Sequence, residues 1–421
     1  MRPGLGSTVF VAVMLGASVF SVVRLLAVAW LMPVEVFAIY TAIVAIGAFA
    51  SGPLSFGTVE ATMKAFPRLV AEGRTKALRP EGYRALLVVV RRAVLIGVPA
   101  FALARWSGLD WLEHAAIGLL FAVATAHSSI VASKQRALGH PARLAAGTVL
   151  RVIATLIAVL AATTSQSLTV LLVAEAGAIF VSCLLSDLLF VRPLVQKADG
   201  RDDKTNRLPP EAKRDGMRLF VAFSIVSVPF YLDRPFIVAV LGETEGARYA
   251  VLAILLTGAS LLVNAIAQRV GPDALRLVHD GRDRDAFRQV FIWSAIAGSL
   301  WMAGVCLLAL IVAGGWLPPQ LQRYAIEPAL LAPIALAGAL LTASLVEFLL
   351  IAADRETAFQ RAAAGFLIAV LLLAGLAMWL EADLLAIMWL LVVARTIYAA
   401  LLLLALPWRD LHRRDEAHGQ G

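Results

Sequence analysis

Two cysteines, six histidines and a charged fraction of only 16% are what this 421-residue chain has least of. Cys183 and Cys306 each sit alone in an apolar run, which excludes a disulfide framework and a thiolate metal site; both read as small buried packing residues. No GxxxxGK[ST] phosphate loop occurs, so ATP-driven chemistry by this chain alone is not expected. No metal, cofactor or catalytic constellation is expected either. What is abundant is apolar. Hydrophobic residues make up 60% of the chain and the mean hydropathy is +0.83, outside the range of soluble globular domains. The expectation is an all-α integral membrane protein, neither an enzyme nor a nucleic-acid binder. Its excess of bases, 37 against 29 acids, is then a matter of where the bases lie.

A helix needs about 20 mainly apolar residues to cross a bilayer. Twelve segments qualify: 8–32, 36–66, 85–104, 114–133, 144–163, 168–191, 219–241, 249–268, 289–313, 328–353, 362–380 and 384–406. They divide into an N-terminal six-helix lobe (1–192), a charged linker (193–218), a C-terminal six-helix lobe (219–408) and a basic tail (409–421). Connections alternate between base-rich and base-poor along the chain, as they must if no span is missed or invented. Only Arg105, Arg248 and Arg323 fall on the base-poor side, so both termini, the linker and the tail are assigned to the cytoplasm. Trp30, Trp106, Trp111, Trp316 and Trp379 fall near the opposite interface, where aromatic belts form.

The remaining bases lie within spans: Arg24, Lys64, Arg91, Arg92, Arg151, Arg234 and Arg395. Two belong to an internal repeat. RLLAVAWLMPVEVFAIY starts at Arg24 and RPFIVAVLGETEGARY at Arg234; each runs from an arginine through a short turn to a tyrosine, Tyr40 or Tyr249. At the helical rise each arginine sits roughly 23 Å from the cytoplasmic start of its span, slightly past the bilayer centre. Halves with an even number of spans insert in the same orientation. They would be related by a pseudo-twofold along the membrane normal, an arrangement that holds substrate near the midplane in transporters.

A guanidinium in the membrane is costly and marks a functional site by default. Arg24, Arg234 and the adjacent Asp233, which Pro229 and Pro235 flank, are therefore the substrate-binding candidates. Two arginines at one depth suit an anionic group such as a diphosphate, because guanidinium grips phosphate bidentately. The structural alternative stays open: each could be a static bridge to a neighbouring helix. Glu175, His127, Arg151 and Arg395 lie deep enough to face a cavity, and a carboxylate or histidine there could carry a coupling proton. Glu60 and Lys64, four residues apart, read as a structural pair. Arg91 and Arg92 read as snorkelling to headgroups, and Glu347 as a gate or inter-helix bridge.

The run from Arg24 through LMPVEVFAIY to GPLSFGTVEATMKAFPRL resembles the opening of lipid-linked oligosaccharide (O-antigen and polysaccharide repeat-unit) flippases of the multidrug/oligosaccharidyl-lipid/polysaccharide (MOP) exporter superfamily. YLDRPFIVAVLGETEGARY is similar to that family's seventh-span signature, and the likeness covers residues 8–70 and 219–285. Ala38 stands where the family's first turn usually has Gly.

The resemblance implies a MATE-like fold and movement of an undecaprenyl-diphosphate-linked oligosaccharide across a bacterial inner membrane by alternating access. Arg24 and Arg234 would hold the diphosphate and sugar while the lipid tail stays among membrane lipids. It further implies coupling to a proton or sodium gradient, and polysaccharide polymerase and chain-length machinery as partners.

Rival expectations are a MATE-type exporter of small molecules, a lipid II flippase (whose relatives carry two further spans) and a membrane-embedded polysaccharide polymerase or ligase. The first span has no Asp or Glu, so the sign of its charge disfavours organic cations. A polymerase needs a sizeable outer loop, and the longest outer connection, 314–327, is short.

Overall fold

The computed structural model describes residues 5–108, 110–197, 210–279, 281–353 and 355–406. Arg2, the middle of the expected linker and the expected tail lie outside the described residues, as do the side chains of Lys64, Trp111 and Arg269. The chain forms two compact units, Met1–Ala247 and Arg248–Gly421.

The first unit contains α1 (Leu5–Leu31), α2 (Val34–Ser55), α3 (Thr58–Ala71), α4 (Leu78–Ser107), α5 (Asp110–Ala137), α6 (Pro141–Thr163), α7 (Leu168–Ser186), α8 (Arg192–Lys197), α9 (Pro210–Tyr231) and the start of α10 (Asp233–His279). The second holds the rest of α10 with α11 (Asp283–Ala313), α12 (Pro319–Gln322), α13 (Pro328–Leu340), α14 (Leu345–Ala352), α15 (Glu356–Trp379) and α16 (Leu384–Leu404). Helix starts follow from local chemistry. Ser167 and Asp383 cap α7 and α16 through the Val170 and Ala386 amides, and Pro141 and Pro328 occupy first turns, where a missing N–H costs nothing.

Ten described stretches are long and apolar enough to cross a membrane. One of these, Phe223–Ala267, runs for 45 residues, about 68 Å at the helical rise and over twice the hydrocarbon thickness. Gly242 interrupts it at φ 84°, ψ 176°, a conformation essentially restricted to glycine, so it makes two crossings. With the 27-residue α1, the total is the expected twelve. Large apolar side chains point outward along these helices, among them Leu87, Leu95, Ile157, Leu307, Leu310 and Leu372, as a hydrocarbon surround requires. Trp106, Trp316 and Trp379 are exposed at or just beyond the ends of α4, α11 and α15.

Several boundaries and burials differ from the sequence reading. The expected 36–66 span is two helices, because Phe56 (φ 46°) and Gly57 (φ 79°) both turn left-handed and end α2. Arg92 does not snorkel. Its Nη1 donates to the carbonyls of Leu54 (2.9 Å) and Ser55 (3.1 Å), the acceptors that this helix end leaves unpaired. Its guanidinium also lies 5.4 Å from the Phe56 ring. The expected tenth span keeps its course but passes through a 3₁₀ stretch, Leu341–Ser344, between α13 and α14. Cys183 is buried as expected, whereas Cys306 is exposed, since α11 turns most of its surface outward.

In the first unit α5 is the central helix, packing on α2, α4 and α7, while α6 joins α7 to α1. In the second, α13 packs between α11 and α16, and α15 lies on α16.

Candidate functional site

Arg24 enters from α1 and meets Glu175 on α7 in an ion pair between Nη1 and Oε1. The second carboxylate oxygen, Oε2, accepts a hydrogen bond from the phenol of Tyr40 on α2. Both oxygens of a carboxylate that is 1% exposed thereby have a partner, as burial of so polar a group demands. Arg24 is more open, at 15% exposure. Tyr40 is fully buried, and so is its repeat counterpart Tyr249.

Two more guanidinium groups lie nearby, one in reach of Arg24 and one in reach of Tyr40. Arg151, on α6, donates to the hydroxyl of Ser128 on α5 and lies within electrostatic reach of Arg24 and Cys183. Arg234, at the start of α10, is within reach of the Tyr40 and Tyr231 phenols. The structure thus brings Arg24, Arg234 and Glu175 to Tyr40, with Arg151 within reach of Arg24. Tyr40 was noted in the sequence only as a marker of the repeat; that both repeats place a tyrosine sixteen or fifteen residues after the arginine was the signal available.

The Asp233–Arg234 pair owes its placement to a helix break. Pro235 has no N–H, α9 stops at Tyr231, and Leu232 bends the chain before α10 begins. The Asp233 carboxylate accepts from the Arg234 amide (2.7 Å), satisfying a donor that the new helix start leaves open. This bond ties the Asp233 carboxylate to the backbone of the new helix start, and the Arg234 side chain is half-buried.

A second charged cluster escaped the sequence reading. Lys134, just beyond the expected 114–133 span, is 1% exposed because α5 continues to Ala137. Its Nζ meets Asp187 Oδ1 at 2.7 Å, and Arg79 (3.2 Å) and the Tyr83 hydroxyl (3.0 Å) donate to Oδ2. Asp187 opens a π-helical turn, Asp187–Val191, at the end of α7. A carboxylate inside the sixth span is as costly as Glu175, and that was the overlooked signal. His127 belongs with this cluster. Its ring packs on Phe180 at 4.8 Å, its Nδ1 has no hydrogen-bond partner, and it lies within electrostatic reach of Lys134 and Asp187.

In the second unit Arg395 is buried on α16 and donates to the Ala337 carbonyl of α13 (3.0 Å). Glu347 on α14 accepts from Tyr398 on α16 (2.8 Å), and the Tyr398 ring stacks on Phe366 of α15. Both join helices within that unit. Glu60 accepts from Ser55 (3.1 Å); its expected partner Lys64 has a side chain outside the described set. Among the described residues no group of three His, Cys, Asp or Glu is placed to hold a metal ion.

Fold and site together define a multi-pass, all-α membrane protein with the twelve-helix MATE-like architecture expected from its sequence. Solved structures with this fold include MATE in complex with MaD5 (TM-score 0.69, 14% identity, 97% of this chain and 95% of that one). An inward-facing multidrug resistance MATE family transporter of the MOP superfamily is also similar (0.65, 13%, covering 96% and 99%). So is a MOP superfamily transporter from Pyrococcus furiosus Vc1 (DSM3638), whose reverse polarity of binding pocket suggests a different function (0.63, 13%, covering 96% and 94%). No protein-family model and no curated protein matches the sequence. At such identities the likeness establishes the fold.

Proposed function

We propose that this chain is an alternating-access membrane transporter for an anionic substrate, and that the substrate is an undecaprenyl-diphosphate-linked oligosaccharide carried to the outer leaflet of a bacterial inner membrane. The observation that carries the anionic reading is the charge around Arg24 and Tyr40, where the guanidinium groups of Arg24, Arg151 and Arg234 outnumber the buried carboxylate of Glu175 and the Asp233 carboxylate that accepts from the Arg234 amide. A guanidinium excess at this depth is expensive, and a phosphate-bearing ligand would offset it.

The MATE fold supports the transporter class, and multidrug transporters among the similar structures favour small-molecule export as the second reading. For that reading the same charge disfavours organic cations. The pocket of reverse polarity described for the Pyrococcus furiosus protein is a precedent for a change of sign within this fold. The lipid carrier is supported by the resemblance over residues 8–70 and 219–285.

The test is made in cells carrying Arg234→Ala or Arg24→Lys at normal protein level. Surface polysaccharide is assayed together with the lipid-linked intermediate facing the cytoplasm. Flipping requires loss of the first and accumulation of the second. Unchanged polysaccharide with altered resistance to small toxic anions would instead establish the exporter reading.

A further inference from the structure

We infer that Glu175 is an internal stand-in for the substrate's anion: it occupies Arg24 while the site is empty, and an incoming phosphate must displace it. The inference rests on the anionic-substrate reading above and adds how that site is regulated.

The geometry is asymmetric in the way such an exchange needs. Arg24 keeps some exposure, whereas the Glu175 carboxylate is buried behind it, so a ligand arriving at the pair meets the guanidinium first. A carboxylate and a phosphate present the same kind of acceptor edge to a guanidinium, so they compete for one set of donors. The phosphate has more charge and more oxygens, and the cluster already holds Arg151 within electrostatic range of Arg24 and Arg234 within range of Tyr40.

Once displaced, Glu175 is not orphaned. Tyr40 still donates to Oε2. A ligand can shift this equilibrium only through its differential affinity for the open and paired arrangements, and the pair sets the threshold that weakly basic or singly charged anions fail to cross. Glu175 thus acts as a specificity filter and keeps Arg24 neutralised when nothing is bound.

The test uses the full chain in lipid nanodiscs, with inorganic pyrophosphate and farnesyl diphosphate as probes and calorimetric titration as the readout. Glu175→Gln keeps shape and the Tyr40 contact but removes the competing charge. It should tighten probe binding by about 10- to 100-fold, the worth of a charge-assisted bond. The gain should vanish in Arg24→Ala/Glu175→Gln.

Tyr40→Phe should act in the opposite direction, weakening binding, because the displaced carboxylate then has no phenol to return to. A purely structural role would not move the two variants in opposite directions, and Tyr40→Phe carries the test if Glu175→Gln does not fold.

If Glu175→Gln binds no tighter than the native chain while Arg234→Ala still weakens native binding, the stand-in is overturned and the anionic site survives. If neither probe binds to the native chain or to Glu175→Gln, the anionic-substrate reading falls with it.

Discussion

Arg24→Ala is the perturbation with the most to say about how this membrane domain is held. Removing the guanidinium leaves a carboxylate of 1% exposure with a single neutral donor, the Tyr40 hydroxyl. Deleting one partner of a buried ion pair costs about 3–5 kcal/mol, because the survivor is a desolvated, uncompensated charge. The reverse deletion should cost less. Glu175→Gln strands Arg24, but that group keeps 15% exposure and can turn part of its fork toward water.

Arg24→Ala/Glu175→Gln removes both charges and leaves the amide oxygen to accept from Tyr40, so it should recover about 2–3 kcal/mol of the single-variant loss, the coupling expected of contacting residues. Unfolding in detergent, followed for the native chain and these three variants, completes the cycle. An Arg24→Ala protein as stable as the native one, or a double variant no more stable than Arg24→Ala, would refute the assignment of Arg24 as the partner that compensates buried Glu175.

The Lys134–Asp187 cluster predicts an order of effects. Asp187→Ala strands a lysine that is 1% exposed and should cost about 3–5 kcal/mol, whereas Lys134→Ala leaves Asp187 with Arg79 and Tyr83 and should cost distinctly less. Equal losses on denaturant unfolding would show that Arg79 and Tyr83 contribute little. Gly242→Ala should destabilise by about 1–3 kcal/mol from backbone strain alone, since a methyl there would meet no atom within 4 Å while the φ and ψ values exclude an L-residue. A melting temperature unchanged by that substitution would mean that the turn between the two crossings relaxes freely.

Composition and the period of apolar segments were enough for the all-α membrane class and for twelve crossings, because a bilayer imposes one length on every helix and sorts the bases to one side. The repeat of Arg24–Tyr40 in Arg234–Tyr249 was visible for the same reason: it lies on contiguous sequence. Glu175 and Arg151 could be singled out one at a time by the cost of burying charge, as Asp187 could have been.

Which charge meets which was not legible. Glu175 answers to an arginine 151 residues away in sequence and a tyrosine 135 away, and Asp187 to a lysine that looked like a loop residue. Single-sequence patterns report depth along a helix and the face a residue occupies; only the packing of α1, α2 and α7 against their neighbours chooses partners. That packing turned a row of isolated intramembrane charges into one arginine-rich centre at Arg24 and Tyr40 and a separate lysine–aspartate cluster at the end of α5.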